Sequence, residues 1–242
     1  MTALPVPATP IYELVLPSNN KKIKYRPFLV KEEKILILAM ESQNNYEISN
    51  AVKQVLANCL MTKGIDVDEL PTFDIEYFFL NIRGKSIGES IKMVVTCSDD
   101  GTTEVPVTIY VDEIEVKKNK DHKRDIKLDD KLTLRMKYPS LSQFIESNFV
   151  EPTTAEERVD EELKTMANCL DTLYTEEEAW DFNQYTEKER IEYVGKLTPQ
   201  QYKELEKFFN TMPKLHYELE VKNPNTGVVN KVSLEGLKDF FA

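Results

Sequence analysis

The chain has 242 residues, 41% of them hydrophobic and 30% charged, which is enough apolar material for the core of one large or two small domains. Its 31 basic residues against 42 acidic ones leave a net charge of −11, and this balance disfavours nucleic acid and anionic lipid as partners, because both need a basic surface. Seven scattered glycines and 12 prolines exclude repetitive architectures, and no apolar run is long enough to predict membrane insertion.

The N-terminal residues predict an extended arm followed by a β-hairpin. Residues 1–10 contain three prolines, and an arm of this kind is ordered mainly when a partner holds it, so Pro5, Pro7 and Pro10 are candidate partner contacts. Runs 11–16 and 22–28 have strand-type composition and flank a polar turn. Apolar and basic residues alternate along the second run, which predicts one buried face and one basic face in solvent.

Three helices are predicted next. Apolar residues recur at helical spacing in 30–42 and again in 48–61. A third helix opens at Thr72 and is expected to end near Gly84 or Gly88, since glycine commonly follows the last helical turn. This third helix is the most apolar of the group and is predicted to be the most buried.

From residue 91 the pattern changes to a period of two, which predicts strands. Runs 92–97 and 104–111 flank the turn Ser98-Asp-Asp-Gly-Thr-Thr103, a hairpin signature. Because helices and strands are segregated along the chain, residues 11–138 are predicted to form an α+β domain. Further short strands are expected at 114–116, 126–128 and 132–138.

Residues 139–242 are predicted to form a second, mainly helical and acidic domain. Residues 151–242 hold 20 acidic and 11 basic side chains, against 22 and 20 in residues 1–150. The predicted helices cover 139–149, 154–170, 186–194 and 198–211, and Thr154 and Thr198 are expected to cap the second and the fourth of them. Strands 214–221 and 228–233 are predicted to form a hairpin. The predicted fold class is α+β: an N-terminal hairpin, three helices and an antiparallel sheet, then a mainly helical C-terminal part that ends in a β-hairpin.

The hairpin turns have the polarity of metal-binding knuckles without the ligands. A zinc knuckle needs two cysteines close together at a hairpin tip. Cys97 is followed by Ser-Asp-Asp-Gly, and the second hairpin turns at Asn223-Pro-Asn-Thr-Gly227 with no cysteine. We therefore predict no metal ligands and no cofactor.

Nucleophilic catalysis is disfavoured because the chain has few histidines and lacks the motifs that position a nucleophile. The chain has two histidines, His122 in a charged loop and His216 in a strand, and it has neither a nucleophile elbow nor a phosphate-binding glycine loop. No catalytic residue is predicted. The enzymatic alternative is a carboxylate-based hydrolase acting on cell wall, which needs one carboxyl with a raised pKa in a cleft.

Interaction features are more prominent than catalytic ones. Aromatic side chains of the kind that anchor interfaces make Trp180, Phe182, Phe240 and Phe241 candidate partner contacts, in addition to the proline arm. Residues 151–178 hold ten acidic side chains against two basic ones. That tract is either a solvated helix face or an electrostatic docking surface for a basic partner.

Several segments of the chain form a recognisable set of motifs. They are Tyr12-Glu-Leu-x-Leu-Pro17, Lys22-Ile-x-Tyr-Arg-Pro-Phe-Leu-Val-Lys-Glu-Glu-Lys34, Leu70-Pro-x-Phe-Asp-x-Glu-Tyr-Phe-Phe-Leu80 with Ile82-Arg83 and Ser86-Ile-Gly-Glu89, Phe208-Phe-x-x-Met-Pro213 and Leu234-Glu-Gly-Leu-x-x-Phe-Phe241. Together they resemble the small baseplate hub proteins of T4-type contractile-tailed phages. The similarity covers most of the chain, and its most specific part is the run of Arg-Pro-Phe and Lys-Glu-Glu near the N-terminus.

The resemblance implies a non-enzymatic structural component of the baseplate hub that acts through protein–protein contacts. Its partners would be other hub and tail proteins, in a symmetric assembly of several copies, and its location the virion tail baseplate after assembly in the host cytoplasm. Arg26, Pro27, Phe28 and 31–34 are expected to belong to the shared structural core. The alternative is a transient assembly chaperone, absent from the mature virion, that binds a segment of a hub protein or of the tail-length (tape-measure) protein.

Overall fold

The computed structural model describes residues 7–141, 143 and 154–240. The helices are α1 (Val30–Ser42), α2 (Asn45–Cys59), α3 (Thr72–Ile87), α4 (Ala155–Asn168), α5 (Glu187–Gly195), α6 (Pro199–Thr211) and α7 (Gly236–Asp239). The strands are β1 (Tyr12–Val15), β2 (Lys22–Tyr25), β3 (Ser90–Thr96), β4 (Glu104–Tyr110), β5 (Glu115–Lys117), β6 (Asp125–Lys127), β7 (Thr133–Met136), β8 (Leu170–Tyr174), β9 (Ala179–Asp181), β10 (Lys214–Lys222) and β11 (Val229–Glu235). The mixed α+β class is therefore confirmed, with several small antiparallel sheets.

The chain divides into two compact units. Unit 1 comprises the described residues up to Lys117 together with those from Lys214 onward, and unit 2 comprises Lys118–Pro213. The linear division at 138 and 139 differs from this arrangement, because β10 returns to pair with β5 and β11 in one three-stranded sheet. Unit 2 is thus inserted between two neighbouring strands of unit 1.

Unit 1 contains the predicted N-terminal hairpin. Strands β1 and β2 pair in antiparallel register, with Leu14 opposite Ile23. Ile23 and Tyr25 are fully buried, which confirms the predicted apolar face of β2, and the Tyr25 ring meets Phe78 of α3 edge to face at 5.7 Å between centroids. The hairpin is therefore fastened to the most buried helix.

Helix α3 is apolar on almost every side and is largely buried, as predicted. It ends at Gly88, whose φ of +148° is a conformation that favours glycine. Gly84 has a different role, because a Cβ placed there would lie 3.2 Å from a methyl carbon of Val111. Gly84 thus permits the close approach of Val111 to α3, and Gly88 ends the helix.

Unit 1 also contains the two predicted hairpins that lie far apart in sequence. Strands β3 and β4 pair with Met93 opposite Val107, and β10 pairs with β11 with Leu219 opposite Val232. One apolar cluster joins these hairpins through their inward side chains, which are Met93, Val95, Cys97, Val105, Val107, Leu219, Val221 and Val232. The polar turns at their tips are brought together as a result.

Unit 2 is built on a four-stranded antiparallel sheet in the order β6-β7-β8-β9. Helices α4 and α6 begin with the predicted caps, since the Thr154 hydroxyl accepts from the Glu157 N–H at 3.1 Å and Thr198 accepts from Gln201 at 3.3 Å. Its core includes Leu134, Met136, Cys169, Leu170, Leu205 and Phe208.

The expectation of a mainly helical C-terminal part misses β8 and β9. The helix predicted to reach 170 stops at Asn168, because the Cys169 carbonyl accepts from the Lys137 N–H of the chain leaving β7 at 2.8 Å. Leu170 then starts a strand that pairs with β7. Tertiary pairing overrides the helical appearance of the acidic residues that follow.

Some predicted features lie outside the described residues. These are Pro5, Phe241 and most of the short helix expected at 139–149. Among the helices that are described, none has the length and hydrophobicity needed to cross a membrane.

Candidate interaction surfaces

The Arg-Pro-Phe and Lys-Glu-Glu segment forms a buried ion pair. Arg26 Nη2 donates to Glu32 Oε1 at 2.9 Å, and the Glu32 side chain is fully buried while that of Arg26 is 15% exposed. The Leu29 N–H also donates to Glu32 Oε2 at 2.8 Å, so this backbone donor at the start of α1 has a hydrogen-bond partner. Burial pushes the pKa of Glu32 up, but the hydrogen bonds from Arg26 and Leu29 and the nearby positive charges outweigh it, so the pKa is lowered.

This ion pair corrects one expectation and supports another. The basic face predicted for β2 keeps Lys22 and Lys24 in solvent, where both lie beside Glu13, but Arg26 turns inward. Pro27 and Glu32 are buried as expected of a structural core, whereas Lys31 and Lys34 are exposed. One side of this segment therefore packs in the core of unit 1, and the other side is accessible to solvent.

The tips of the β3–β4 and β10–β11 hairpins meet in a polar cluster. These are the two turns at which the sequence shows the polarity of a metal-binding knuckle without its cysteines. The Asp99 carboxylate accepts from the side-chain amides of Asn223 at 3.0 Å and Asn230 at 2.9 Å. Asn223 also donates to Asp100 at 3.0 Å, and the Thr103 N–H donates to Asp100 at 2.9 Å. Hydrogen bonds from Asn223 lower the pKa of Asp99, and bonds from Thr103 lower that of Asp100. Amides and carboxylates thus join the tips directly.

The thiols are unsuited to metal binding or nucleophilic attack. All three cysteines are unpaired and buried. Burial raises the pKa of Cys59 to about 11 and that of Cys169 to about 12, and it also raises the pKa of Cys97. Reactive and ligating cysteines need the thiolate form. Within the described residues, no group of three His, Cys, Asp or Glu side chains is arranged to hold a metal ion.

The two histidines have structural surroundings. His122, predicted to lie in a charged, solvated loop, instead packs on Phe208, with 5.1 Å between the ring centroids. Its Nε2 lies 3.0 Å from the Tyr138 hydroxyl oxygen. Burial and the charge of Arg124 lower its pKa. His216 Nε2 lies 2.9 Å from Glu218, on the surface of the β5–β10 sheet. Neither histidine lies within hydrogen-bond distance of a cysteine or serine among its described partners.

The carboxyl groups of these clusters do not match the hydrolase alternative. Glu32, Asp99 and Asp100 have lowered pKa values, whereas a general acid needs a raised one. A groove of about 560 Å³ runs beside α2, and its polar lining consists of Lys53, Thr62, Lys63, Asp66 and Glu69. Lys53 is held there in an ion pair with Asp68.

Helix α1 presents an apolar face to solvent. Val30 is 79% exposed, Ile37 51%, Leu38 54% and Met40 54%, whereas Ala39 on the opposite side is buried. We call the four exposed side chains the α1 surface. Soluble chains bury most large aliphatic side chains, and a cluster left in water marks an interaction site. The α1 surface was missed from the sequence, although the uninterrupted apolar run 35–40 is a signal of a helix with more than one buried face.

Unit 2 has an exposed acidic face on α4. Glu156, Asp160, Glu161 and Glu162 are all exposed, and Val159 lies among them with 55% exposure. Only Glu161 of these four has a described ion pair, with Lys164 at 3.8 Å. This face matches the solvated-helix interpretation, and its charge suits a basic partner.

The candidate partner contacts fall into two groups. Pro7 and Pro10 are exposed, and Trp180 on β9 is 37% exposed. Phe182 is buried against Tyr185 and Tyr193 in unit 2. Phe240 is 1% exposed, at the end of α7, which packs on α3 and β10. The two phenylalanines thus pack within their own units, and the accessible candidates are the two prolines and Trp180.

A comparison with known protein families gives a match over nearly the whole chain. The family described as T4 bacteriophage base plate protein matches residues 9–242, nearly the whole chain. No curated protein and no solved structure matches the chain.

Proposed function

Because the chain belongs to the T4 bacteriophage base plate protein family, we propose that it is a non-enzymatic structural component of the baseplate hub in a contractile phage tail. The observation that carries this proposal is the α1 surface, which exposes Val30, Ile37, Leu38 and Met40 to solvent. An apolar surface of this kind is stabilised when another protein covers it. The partners proposed are other hub and tail proteins.

The accessible residues of both units supply further contacts in this proposal. Trp180 lies on β9, the edge strand of its sheet. An edge strand can pair with a strand of a partner, and an exposed tryptophan on it can anchor the contact. Pro7 and Pro10 precede β1 and add an extended segment. Several weak contacts of this size act together when copies are arranged around a symmetric hub.

Quantitative mass spectrometry of purified virions tests the hub assignment. The chain is expected in washed, DNA-free tails at a fixed number of copies, which is three or six if the hub has three-fold or six-fold symmetry. Cross-linking on the same particles should join this chain to other baseplate proteins. Presence in infected-cell lysate with absence from virions would contradict a structural role, and absence from both would contradict the phage role itself.

The alternative is a transient assembly chaperone for a hub or tape-measure protein, acting in the host cytoplasm. The acidic face of α4 favours it, because exposed carboxylates there attract a basic segment over a distance set by ionic strength. This alternative predicts binding to a lysine-rich peptide that weakens as salt is raised.

A pair of matched variants separates this alternative from non-specific attraction. Asp160→Asn with Glu161→Gln removes two charges from α4, and Glu204→Gln with Glu206→Gln removes two from α6. Glu161 pairs with Lys164 and Glu204 with Lys207 at the same 3.8 Å, so the two changes disrupt equivalent ion pairs. If α4 carries a chaperone surface, the α4 variant should bind the lysine-rich peptide several-fold more weakly than the unmodified chain. The α6 variant should keep the affinity of the unmodified chain. Equal losses would indicate non-specific attraction.

A further inference from the structure

Two charged side chains of α1, Lys34 and Glu41, lie beside the α1 surface, and their positions make this part of the helix complementary to a second copy of itself. Val30, Lys34, Ile37 and Glu41 follow one another at spacings of four, three and four residues, which places them along one line of the helix. Lys34 and Glu41 are both exposed. Lys34 precedes Ile37 by three residues, and Glu41 follows Leu38 by three, so the two charges are equidistant from the centre of the apolar patch.

This symmetry specifies what fits the surface. When two copies of such a helix pack antiparallel about a two-fold axis at the Ile37–Leu38 midpoint, each Ile37 lies against Leu38 of the other copy. Each Lys34 then faces Glu41 of the other copy. A two-fold contact uses the same patch on both molecules and therefore needs this kind of self-complementarity. In a parallel pair, Lys34 would face Lys34 and Glu41 would face Glu41.

We propose that the α1 surface is a self-association site, at which two copies of this chain pair through antiparallel α1 helices. The opposite side of α1 supports this role, because Ala39 is buried and α1 packs against α2. The helix is therefore held in place by its own chain, and its outer face is free for a second copy. The inference goes beyond the hub assignment and does not depend on it.

The size of the helix sets the expected strength. Thirteen residues of α1 make a helix about 20 Å long, so the contact lies at the small end of specific interfaces. We expect a dissociation constant on the order of 10–100 µM for the isolated chain. In an assembly with several contacts per copy, such a weak pairing is reinforced by multivalency.

Sedimentation equilibrium of the full chain, at up to about 500 µM and low salt, measures the dimer directly. Ile37→Lys places a charge at the centre of the contact and is expected to weaken dimerisation more than tenfold. Val159→Lys is the matched control, because Val159 is also an aliphatic residue exposed on a helix, at 55%. That variant is expected to dimerise like the unmodified chain, and circular dichroism verifies that both variants are folded.

Charge exchange tests the antiparallel geometry. Lys34→Glu and Glu41→Lys each turn both attractive contacts into repulsive ones and should each weaken the dimer about fivefold. The double variant restores both contacts and should dimerise like the unmodified chain. An equimolar mixture of the two single variants should form a heterodimer, since the carboxylate introduced in one copy then faces the ammonium group introduced in the other.

Each opposing result overturns the proposal. A chain that stays monomeric at the highest concentration means that α1 is covered by a different protein. A dimer that survives Ile37→Lys uses another surface. Single charge variants that dimerise as well as the unmodified chain exclude the antiparallel pairing.

Discussion

Glu32 is the residue on which the N-terminal part of unit 1 depends most directly. It is fully buried, it accepts from Arg26 and from the Leu29 N–H, and it caps the first turn of α1. A buried charge without its partner is costly, because the protein interior solvates it poorly. The sequence shows a run of four charges at 31–34, and nothing in that run indicates which carboxylate turns inward.

Glu32→Gln should lower the free energy of unfolding by about 3 kcal/mol, the usual cost of breaking a buried ion pair. Urea denaturation at pH 7 measures it, and Glu33→Gln, at a less buried position on the same turn, should change it by less than about 0.5 kcal/mol. Equal effects of the two variants would contradict this role of the ion pair.

The same pair gives a pH dependence with a definite sign. The pKa of Glu32 is lowered in the folded chain, so its stabilising contribution is complete above the unfolded value of about 4.3 and is lost as pH falls through the folded value. The stability difference between the unmodified chain and Glu32→Gln should therefore shrink below about pH 4. A difference that grows on acidification would contradict the lowered pKa.

The cysteines provide a third prediction at the residue scale. Their thiols are buried, and the pKa values of Cys59 and Cys169 are about 11 and about 12. At pH 8 the native chain should therefore react slowly with a thiol reagent such as Ellman's reagent, while the urea-unfolded chain should release three equivalents at once. Rapid release of even one equivalent from the native chain would contradict this burial.

At the scale of elements, the contact between the β3–β4 and β10–β11 hairpins organises unit 1. Their apolar sides share one cluster, and Asn223 donates from one tip to Asp99 and Asp100 on the other. Asn223 is fully buried, and its side-chain Oδ1 accepts from the Asn225 N–H at 2.8 Å, which shapes its turn. The side chain thus holds both a turn and a contact between hairpins.

Asn223→Ala should destabilise the chain by about 2 kcal/mol, because it removes a fully buried amide together with its hydrogen bonds to Asp99, Asp100 and its own turn. Thr102→Ala changes an exposed residue in the opposite turn and should have little effect on the thermal unfolding midpoint. A chelator should leave the midpoint of the unmodified chain unchanged, because amides and carboxylates join the tips. A chelator-induced drop would indicate a metal at this position.

At the scale of the whole molecule, the two units follow a discontinuous division. Lys117, the last residue of unit 1 before the insertion, is the cross-strand partner of Lys214, the first residue after it. The ends of unit 2 therefore join two adjacent antiparallel strands, where a tight turn would normally lie. A chain can accept a long insertion at such a position, because the loop-closure entropy grows slowly with length.

Replacing 118–213 by a two-residue Asn-Gly turn should leave unit 1 folded, since this turn matches an antiparallel hairpin. Residues 118–213 alone should also fold, and Trp180, the one tryptophan of the chain, reports that folding by fluorescence. A fragment of residues 1–138 should not fold cooperatively, because it lacks β10 and β11. Cooperative unfolding of this fragment with failure of the other two would favour the contiguous division.

The local elements were largely predictable because their signals lie within a few residues. Helix α1 has the predicted bounds, 30–42, and the caps at Thr154 and Thr198 form as the sequence indicates. Strand β8 was not predictable in this way, because it pairs with β7, which lies more than 30 positions earlier in the chain. Strand β9 in turn pairs with β8. The placement of Phe182 and Phe240 in the interior likewise depends on distant residues.

The sequence by itself determined the α+β class, most helix and hairpin positions and the resemblance to phage baseplate proteins, because composition, periodicity and motifs are properties of neighbouring residues. Only the tertiary structure decided that β10 returns to β5, that Arg26 turns inward to Glu32, and that the aliphatic side chains of α1 face solvent. These three features depend on which distant residues compete for the same core. Burial is decided by the packing of the whole unit, and a side chain left outside that packing is available to a partner.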